Sequence, residues 1–449
     1  MATLGRRIAE WVAGISYADL PPHTVHEAKR RVLDSIGCCL GAYGSAPAAI
    51  AREVAASAAD PSGATLWGTQ NRCRPEYAAF ANGAMVRYLD FNDTYLSLEP
   101  AHPSDNIPPS MAVAQAAGLG GREAILGLVI GYEIQCRQCD AASLRAHGWD
   151  HVTYGALSSA MIAGKLWGLS ADALEHALGL AGVCNIATRQ TRTGQISMWK
   201  ACAFSNAARN GIFAADLARR GMTGPHEIYE GPKGIFNQLT GPFDLELGAG
   251  GEFMIDRTYI KYWPAEYHSQ SAIDAMLQLR GQVAGRPVKR IHIDSFEAAV
   301  SIIGSEPEKW HPTSRETADH SMGYCTAAAL VDGDVTLHSF DESRLCDRKI
   351  LDLLDVTTIS EDPELNPGYP DGIPNRITVT LADGTTLTKQ VDYPRGHAKN
   401  PMTDDEVVGK FLKLADGVVS QSTADRIVDL CLHLDGIDDL AGLFGFEVL

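Results

Sequence analysis

Residues 90–105 read Asp90-Phe-Asn-Asp-Thr-Tyr-Leu-Ser-Leu-Glu-Pro-Ala-His-Pro-Ser-Asp105, a run that concentrates carboxylates, hydroxyl groups and one imidazole in a short segment. These are the side chains that proton transfer requires. Pro103, Pro108 and Pro109 interrupt a helix, so we expect the polar groups to lie on a loop rather than on a solvated helical face. Loops held by a rigid scaffold are common places for binding and catalytic residues.

The composition around this run is that of a folded globular protein. Of 449 residues, 45% are hydrophobic and 21% are charged, and the length indicates one large and one smaller domain. The formal net charge of −17 disfavours nucleic-acid partners and anionic membrane surfaces, because both need basic faces. We predict neither a signal peptide nor a membrane span, and a cytoplasmic location; a mitochondrial location after processing stays open.

Cysteine and glycine patterns bear on cofactors. Ten cysteines in so long a chain do not indicate a compact disulfide framework, so we predict reduced thiols. Cys136 and Cys139 have the spacing of a metal or iron–sulfur pair, but they fall in an apparently helical run with no second close pair, and we expect no metal. The glycine-rich residues 248–251 lack the flanking strand and helix of a dinucleotide site, so we expect a loop and no nucleotide cofactor.

The chain has two regions that differ in the spacing of their hydrophobic residues. Up to about residue 279 apolar residues repeat at helical spacing, and small residues at 156–164 predict closely packed helices. From about residue 286 the pattern alternates, and residues 377–391 predict a β-hairpin within a small α+β segment. Residues 403–406 form a capping-box pattern, so helix resumes toward the end.

Several separate blocks carry a resemblance to one family. They are Asn82-Gly83 with residues 89–106, Gly148-Trp-Asp-His151 before Tyr154-Gly-Ala156, Lys165-Leu-Trp-Gly-Leu169, Met198-Trp-Lys200 before Asn206-Ala-Ala-Arg-Asn-Gly211, Gly221-Met-Thr-Gly-Pro225, Lys261-Tyr-Trp-Pro-Ala-Glu-Tyr-His268 and Asp319-His-Ser-Met-Gly-Tyr324. On these blocks the chain resembles the MmgE/PrpD family over nearly its whole length. Residues 89–94 and 102–106 are most similar to the 2-methylcitrate dehydratases of that family.

The resemblance implies a mainly α fold in which a large all-helical domain carries an inserted, smaller α+β lid domain. The helical domain would comprise residues 1–268 and 399–449, and the lid would comprise residues 269–398. It also implies a homodimer formed by helical faces and a small polycarboxylate substrate.

Carried over block by block, the resemblance implies a pocket containing Asp90, Thr94, His102, His151, Lys200, Lys261 and Tyr324. Two further observations concern the substrate. Arg189 and Arg192 lie in one polar loop and would form a bidentate clamp for a carboxylate, although surface placement is an equal alternative. Glu266 stands where cis-aconitate decarboxylases of the family tend to have a histidine, which favours dehydration, unless His268 occupies that space.

Each of these residues also has an ordinary structural interpretation. Paired aspartates often cap helices, a lone histidine is more often a hydrogen-bonded structural residue, and a buried tyrosine usually makes one structural hydrogen bond. Lys200 follows an apolar pair and either extends to solvent or is held for an anion. Asp150 separates His151 from the preceding aromatic residue, where the family commonly has the histidine directly after it, so the equivalence of His151 is open.

The implied chemistry needs three kinds of group. Removing water from a 2-hydroxy tricarboxylate requires a base for a C–H proton, an acid for the leaving hydroxyl, and cations for the charge that develops. His102 or Asp90 would take the proton, and His151 or Tyr324 would assist the hydroxyl. Lys200 and Lys261, with Arg192, would neutralise substrate carboxylates.

Three hypotheses follow from the sequence. The first is a cofactor-independent hydro-lyase that converts 2-methylcitrate to 2-methyl-cis-aconitate. The second is another activity of the family, such as cis-aconitate decarboxylation or the isomerisation or epimerisation of a related acid. The third is a non-catalytic protein that binds polycarboxylates.

Overall fold

The computed structural model describes residues 2–194, 196–248 and 251–449. The predicted glycine-rich loop at 248–251 therefore falls partly outside the described residues. The chain forms two compact units, which we call the helical unit, Met1–Thr258 with Thr403–Leu449, and the inserted unit, Tyr259–Met402. The first boundary lies before residue 268, so Glu266 and His268 belong to the inserted unit rather than to the helical domain to which the sequence assigned them.

The helical unit begins with a series of helices. They are α1 Leu4–Gly14, α2 Pro22–Ala42, α3 Ala46–Ala56, α4 Pro75–Tyr88, α5 Ile107–Ala116, α6 Gly121–Ala141, α7 Val152–Leu166, α8 Ala171–Cys184 and α9 Trp199–Arg219. A small antiparallel sheet of β1 Ala59–Thr65 and β2 Arg72–Cys73 lies between α3 and α4. The mainly α fold is confirmed, and this small sheet is an addition that the sequence did not reveal, since β1 is rich in polar and small residues and has no alternating pattern.

The prolines of the segment 103–109 have a different effect from the one predicted. Pro108 and Pro109 occupy the first positions of α5, where a missing N–H costs nothing because the first-turn N–H groups lack helical partners anyway. The loop therefore ends at His102, and Pro103–Asn106 already forms a turn of 3₁₀ helix. The prolines start a helix here rather than interrupt one.

The inserted unit is built on a four-stranded sheet. Its helices are α10 Gln270–Val283, α11 Glu297–Ala299, α12 Arg315–Ala318, α13 Met322–Asp332, α14 Glu342–Leu345 and α15 Arg348–Asp355, and its strands are β3 Val288–Ser295, β4 Thr357–Glu361, β5 Asn375–Leu381 and β6 Thr386–Val391. The strand order is β4-β3-β5-β6, with β3 and β4 parallel and the other pairs antiparallel. The predicted hairpin is confirmed as β5 and β6, and its buried apolar residues are Ile377, Val379 and Leu381.

The chain then returns to the helical unit through α16 Asp404–Ala415, α17 Gln421–Leu432 and α18 Ala441–Phe444. The predicted capping box is confirmed: the Thr403 hydroxyl accepts the backbone N–H of Glu406, and the Glu406 carboxylate accepts that of Thr403. Helix α16 packs against α2. Among the described residues, no helix has the length and apolar character required to cross a bilayer.

Helices α7 and α9 pack closely because small residues line their contact, as the sequence predicted. Phe204 lies over Gly155, and Gly211 faces the backbone of α7. A Cβ at Gly211 would stand 2.4 Å from the carbonyl oxygen of Ala156 and 2.9 Å from the nitrogen of Ala160. This contact fixes the position of α9, whose first turn carries Lys200.

We expect Gly211→Ala to lower the midpoint of thermal unfolding, because the added methyl group would push two helix backbones apart at a cost of about 1–3 kcal/mol. Gly409→Ala in α16 is the matched control, since a Cβ there meets nothing within 4 Å. Alanine should stabilise that helix by about 1 kcal/mol relative to glycine. A Gly211→Ala protein as stable as the control variant would contradict this account of the packing.

Candidate active site

Asp90 lies two residues after the end of α4 and has an uncommon backbone conformation. Its φ is +52°, in the left-handed region that aspartate tolerates better than most residues, at a cost of about 1 kcal/mol. The side chain is buried, and its Oδ1 accepts a hydrogen bond of 2.8 Å from Nη1 of Arg87, in the last turn of α4. The turn out of the helix thus directs a carboxylate back onto an arginine of the same helix.

Lys200 completes this group from α9. Its Nζ donates to Oδ2 of Asp90 at 2.9 Å, so each oxygen of the carboxylate faces a different cation. The lysine side chain is 11% exposed, and the predicted alternative in which it extends to solvent is not what the structure has. Two cations around one carboxylate leave an excess positive charge, which suits an anionic ligand.

His102, at the end of the loop, is held in one tautomer by the backbone. Its Nδ1 lies 2.9 Å from the carbonyl oxygen of Asp93, and because a carbonyl only accepts, we assign the neutral ring's proton to Nδ1. The other nitrogen, Nε2, therefore carries a lone pair, and it lies 3.9 Å from Oδ1 of Asp90. A proton taken up by Nε2 would be stabilised by that carboxylate.

His151 brings a second imidazole beside the first. The two ring centroids are 6.0 Å apart, and Nδ1 of His151 lies 3.1 Å from Oδ1 of Asp150. Its Nε2 is buried without a hydrogen-bond partner among the described residues. Burial, together with the positive charge of Arg192, lowers the pKa of His151 to about 3, so the ring is neutral in the free protein near pH 7.

Arg192 reaches this group through Asp150. Its Nε donates to Oδ2 of the aspartate at 2.9 Å, and its side chain is mostly buried. Burial alone would raise the pKa of Asp150, but Arg192 and His151 outweigh it, and the pKa lies below its ordinary value. The carboxylate is therefore ionised, and Arg192 is held by it in the interior rather than on the surface.

Thr94 and Asp93 hold the loop itself. The Thr94 hydroxyl donates to the carbonyl oxygen of Ala101 at 3.1 Å, beside the backbone pair of Tyr95 and Ala101. Asp93 accepts the N–H of Ser104 and the hydroxyl of Tyr132, at 2.7 Å each, and is fully buried. The Thr94 proton is therefore engaged within the loop, and only its oxygen lone pairs remain for a ligand.

The inserted unit contains a second carboxylate–imidazole pair. Oε1 of Glu266 accepts a hydrogen bond from Nδ1 of His268, with 2.8 Å between the two atoms. Nε2 of His268 is buried without a hydrogen-bond partner among the described residues. Burial works against ionisation of Glu266, but His268, His320 and Lys261 lower its pKa to about 2. Lys261 is itself buried, at 1% exposure. Three of the predicted residues therefore lie close together within this unit.

Tyr324, in the same unit, makes the ordinary structural contact. Its hydroxyl donates to the carbonyl oxygen of Ser339 at 2.8 Å, and the side chain is fully buried. Burial raises the pKa of this phenol. The proton that an acid role would use is engaged in the interior of the inserted unit. That the predicted residues of the two units come together at one site stays a prediction.

Sequence reasoning missed Arg87 and Asp150 as members of the group and passed over Asp105. Arg87 stands at the end of an ordinary helix, and nothing in its spacing distinguishes it from a surface arginine. Asp150 was noticed only as an insertion before His151. Asp105 belongs to the quoted run, but only the structure reveals that it is fully enclosed, with its Oδ2 lacking a hydrogen-bond partner among the described residues.

The chemistry within the helical unit is that of proton transfer next to anion binding. Two imidazoles lie beside one another, and three cationic side chains, those of Arg87, Lys200 and Arg192, are held around them by buried carboxylates. Among the described residues, no cluster of three or more His, Cys, Asp or Glu side chains has an arrangement that could hold a metal ion. Cys136 and Cys139 lie buried in α6, and burial raises the pKa of both thiols.

Asp105 gives this group a pH-dependent effect on stability. Burial, reinforced by Asp93 and Asp90 and opposed by Arg87 and Arg192, raises its pKa to about 7. Between the ordinary pKa and this value the folded protein binds more protons than the unfolded chain, so stability falls as the pH rises through this range. We expect Asp105→Asn, which cannot ionise, to gain thermal stability relative to the wild type between about pH 5 and about pH 8.

The measurement is the thermal midpoint of both proteins at each pH. Asp425→Asn is the control, because Asp425 is an exposed aspartate of the same unit, and this change should leave the pH dependence as it is. An unchanged pH dependence in Asp105→Asn would show that Asp105 ionises like an exposed group.

Comparison with known proteins agrees with this architecture. The MmgE/PrpD N-terminal domain matches residues 6–248, and the MmgE/PrpD C-terminal domain matches residues 263–434. The chain is 33% identical over 408 residues to a 2-methylcitrate dehydratase of Cupriavidus necator, covering 83% of this chain and 81% of the relative. A 2-methylcitrate dehydratase of Salmonella typhimurium is 31% identical, with 82% of this chain and 81% of the relative covered.

A cis-aconitate decarboxylase of Mus musculus is 27% identical over 455 residues, which cover 97% of this chain and 91% of the relative. The similarity thus extends through both units and includes the blocks that carry Asp90, His102, His151 and Lys200. The chain belongs to the MmgE/PrpD family.

Proposed function

We propose that the protein is a carbon–oxygen lyase that dehydrates 2-methylcitrate to 2-methyl-cis-aconitate by acid–base catalysis with its own side chains. The observation that carries the proposal is the buried group in which Lys200 and Arg87 hold Asp90 beside the Nε2 atom of His102. Relatives named 2-methylcitrate dehydratases, at about 30% identity over most of the chain, support the same activity.

The positive side chains account for substrate binding. A chain with a net charge of −17 repels a tricarboxylate over most of its surface, so binding needs a place where cations dominate. Lys200 and Arg192 supply it in the helical unit, and we propose that Lys261 of the inserted unit contributes a third cation. Because these groups are buried, their attraction for a carboxylate is screened less than at the surface.

The reaction then needs two proton transfers. In this proposal Nε2 of His102 takes the C–H proton next to a carboxylate, and Asp90 stabilises the imidazolium that forms. The electron pair of the broken C–H bond becomes the new double bond as the hydroxyl on the neighbouring carbon departs. The hydroxyl leaves as water after accepting a proton from Nε2 of His151.

His151 has to acquire that proton before it can give it away. In the free protein its pKa of about 3 keeps it neutral. A bound tricarboxylate places negative charge beside the ring and raises its pKa, so substrate binding itself favours the protonated form. This division of roles leaves the Tyr324 hydroxyl in its structural hydrogen bond with Ser339.

Cis-aconitate decarboxylation is the second candidate, since relatives with that name match nearly the whole chain. The two reactions share a carbanion-like intermediate and differ in which bond breaks. Glu266 stands where a decarboxylase tends to have a histidine and binds His268, which supports dehydration in our proposal. Release of carbon dioxide from cis-aconitate would select the second candidate.

Purified protein mixed with 2-methylcitrate should produce the absorbance of a conjugated alkene, and mass spectrometry should find a product lighter by one water. We expect Lys200→Met to reduce kcat/KM by about 100-fold or more, because it removes the cation that holds Asp90 and faces the substrate. The absence of alkene from 2-methylcitrate and from a panel of related hydroxy acids would contradict the proposed function.

Lys165→Met is the matched control for this variant. Lys165 is a lysine of the same unit, at the end of α7, and its Nζ donates to the carbonyl oxygen of Ala13 rather than to any member of the candidate site. Its removal should leave kcat/KM within about twofold of the wild type, as for most surface substitutions. Equal losses in both variants would indicate a general effect of charge or stability.

We further propose that the protein is a homodimer formed through helical faces and is located in the cytoplasm. The family resemblance supports the first, and exposed apolar side chains on α8 and α9, among them Val183 and Phe213, are consistent with a covered surface. Light scattering coupled to gel filtration should give twice the mass of the chain, 48.2 kDa. A monomer at micromolar concentration would contradict this part of the proposal.

A further inference from the structure

Asp150 lies between His151 and Arg192 and contacts both side chains. Its Oδ1 is 3.1 Å from Nδ1 of His151 and accepts the backbone N–H of Val152 at 3.2 Å. Its Oδ2 accepts a hydrogen bond of 2.9 Å from Nε of Arg192. The carboxylate is fully buried, so both contacts form away from competing solvent.

The backbone fixes where this carboxylate stands. The N–H of Asp150 donates to the carbonyl oxygen of Ala187 at 2.8 Å, and the N–H of Arg189 donates to that of Gly148 at 3.0 Å. These two bonds join the entrance of α7 to the segment that carries Arg192. The histidine and the arginine therefore belong to one hydrogen-bonded assembly, although 41 positions separate them in the sequence.

We propose that Asp150 is a positioning residue for the reaction: it fixes the proton of His151 on Nδ1 and holds Arg192 by Nε. The proposal rests on the proposed function, because it assigns these two side chains to proton transfer and to carboxylate binding. Nothing in it requires Asp150 to touch the substrate. Its effect passes through its two partners.

The consequence for His151 is a single reactive nitrogen. With the Asp150 carboxylate 3.1 Å from Nδ1, our proposal places the ring proton on Nδ1 and the lone pair on Nε2, which is buried without a hydrogen-bond partner among the described residues. Nε2 is then the atom that takes a proton when substrate binds and gives it to the leaving hydroxyl. The negative charge of Asp150 also opposes the lowering of the His151 pKa by Arg192, and thereby eases that uptake.

Asp150 also fixes the orientation of the Arg192 guanidinium group. A guanidinium has five N–H donors, and engagement of Nε by Asp150 leaves the two terminal amino groups as a pair for a carboxylate of the substrate. A lysine could not replace it, since a single ammonium group cannot bind Asp150 and present a planar pair of donors at once.

Asp150→Asn tests the tautomer because the amide is nearly the same size but has one donor end and one acceptor end. Arg192 cannot give up its Nε proton, so the amide oxygen turns to it; this charge-assisted bond outweighs the neutral one from Val152. The amide NH₂ then faces Nδ1 of His151. The ring must accept there, and its proton moves to Nε2.

The experiment records ¹⁵N spectra of full-length protein with labelled histidine, and His151→Gln identifies the His151 signals by their loss. We expect Nδ1 to be the protonated nitrogen in the wild type and Nε2 in Asp150→Asn. With 2-methylcitrate as substrate, kcat should fall by about 100-fold or more, as expected for the loss of a residue that orients a catalytic imidazole. KM should rise as well, because Arg192 loses a charged anchor.

Glu133→Gln is the matched control. Glu133 is another buried carboxylate of the helical unit, and it holds Arg137 and the backbone N–H of Met254 instead of a site residue. It should lower the thermal midpoint and leave the His151 tautomer and kcat unchanged. This separates a specific effect on His151 from a general loss of stability.

An unchanged tautomer in Asp150→Asn would overturn the positioning role, as would wild-type protein with the proton already on Nε2. The proposed function fails in a different way, when wild-type protein shows no turnover of any acid tested. A reversal of the tautomer in that inactive protein would still support Asp150 as the residue that positions His151.

Discussion

The constraint on which the helical unit depends is the burial of charge around residues 87–105. Asp90 is enclosed and can be tolerated there only as the partner of Arg87 and Lys200, because a buried carboxylate without such partners would cost several kcal/mol. Those partners come from the end of α4 and the start of α9. The two helices must therefore meet at one place, and the glycine contact between α7 and α9 brings the second of them there.

The returning C-terminal helix belongs to the same constraint. Lys410 of α16 is buried, pairs with Asp34 of α2, and donates to the carbonyl oxygen of Phe91 at 2.7 Å, with its Nζ 3.8 Å from the centre of the Phe91 ring. The residue after Asp90 is thus held by a segment more than 300 positions away. An insertion of the α+β unit between Thr258 and Thr403 preserves this contact, since the chain returns to the helical unit before α16 begins.

The sequence predicted local features well and electrostatic partners poorly. The hairpin of β5 and β6 and the capping box at Thr403 depend on residues a few positions apart, and such patterns can be read directly from the chain. Asp90 and His102 could be proposed because the family blocks contain them. Arg87 lies outside those blocks, and Asp105 and Asp150 were not singled out within them, because their importance comes from what encloses them, and enclosure is a property of the folded chain.

Residue type alone did not determine what the prolines and the tyrosine do. Pro108 and Pro109 were taken as helix breakers, although proline is compatible with the first turn of a helix and both stand there in α5. Tyr324 was proposed either as an acid or as a structural hydrogen-bond donor, and its hydroxyl donates to the carbonyl oxygen of Ser339, so an acid role stays a prediction. For the prolines, residue type was informative but position in the helix decided the outcome.

The helical and inserted units each contain a carboxylate that faces Nδ1 of a neighbouring histidine: Asp150 with His151, and Glu266 with His268. In both histidines Nε2 is buried and has no hydrogen-bond partner in the part of the chain that the structure describes. The pairing has the same effect in both, since a carboxylate at Nδ1 leaves Nε2 as the only nitrogen that can gain a proton. The surroundings differ. Burial, together with the positive charges of Arg192 and Arg87, lowers the pKa of His151 and keeps the ring neutral in the free protein, whereas the imidazole of His268 packs against Phe296 and Tyr369. A bound polyanion would favour the protonated form of His151, and this is why our proposal assigns proton delivery to the leaving hydroxyl to His151.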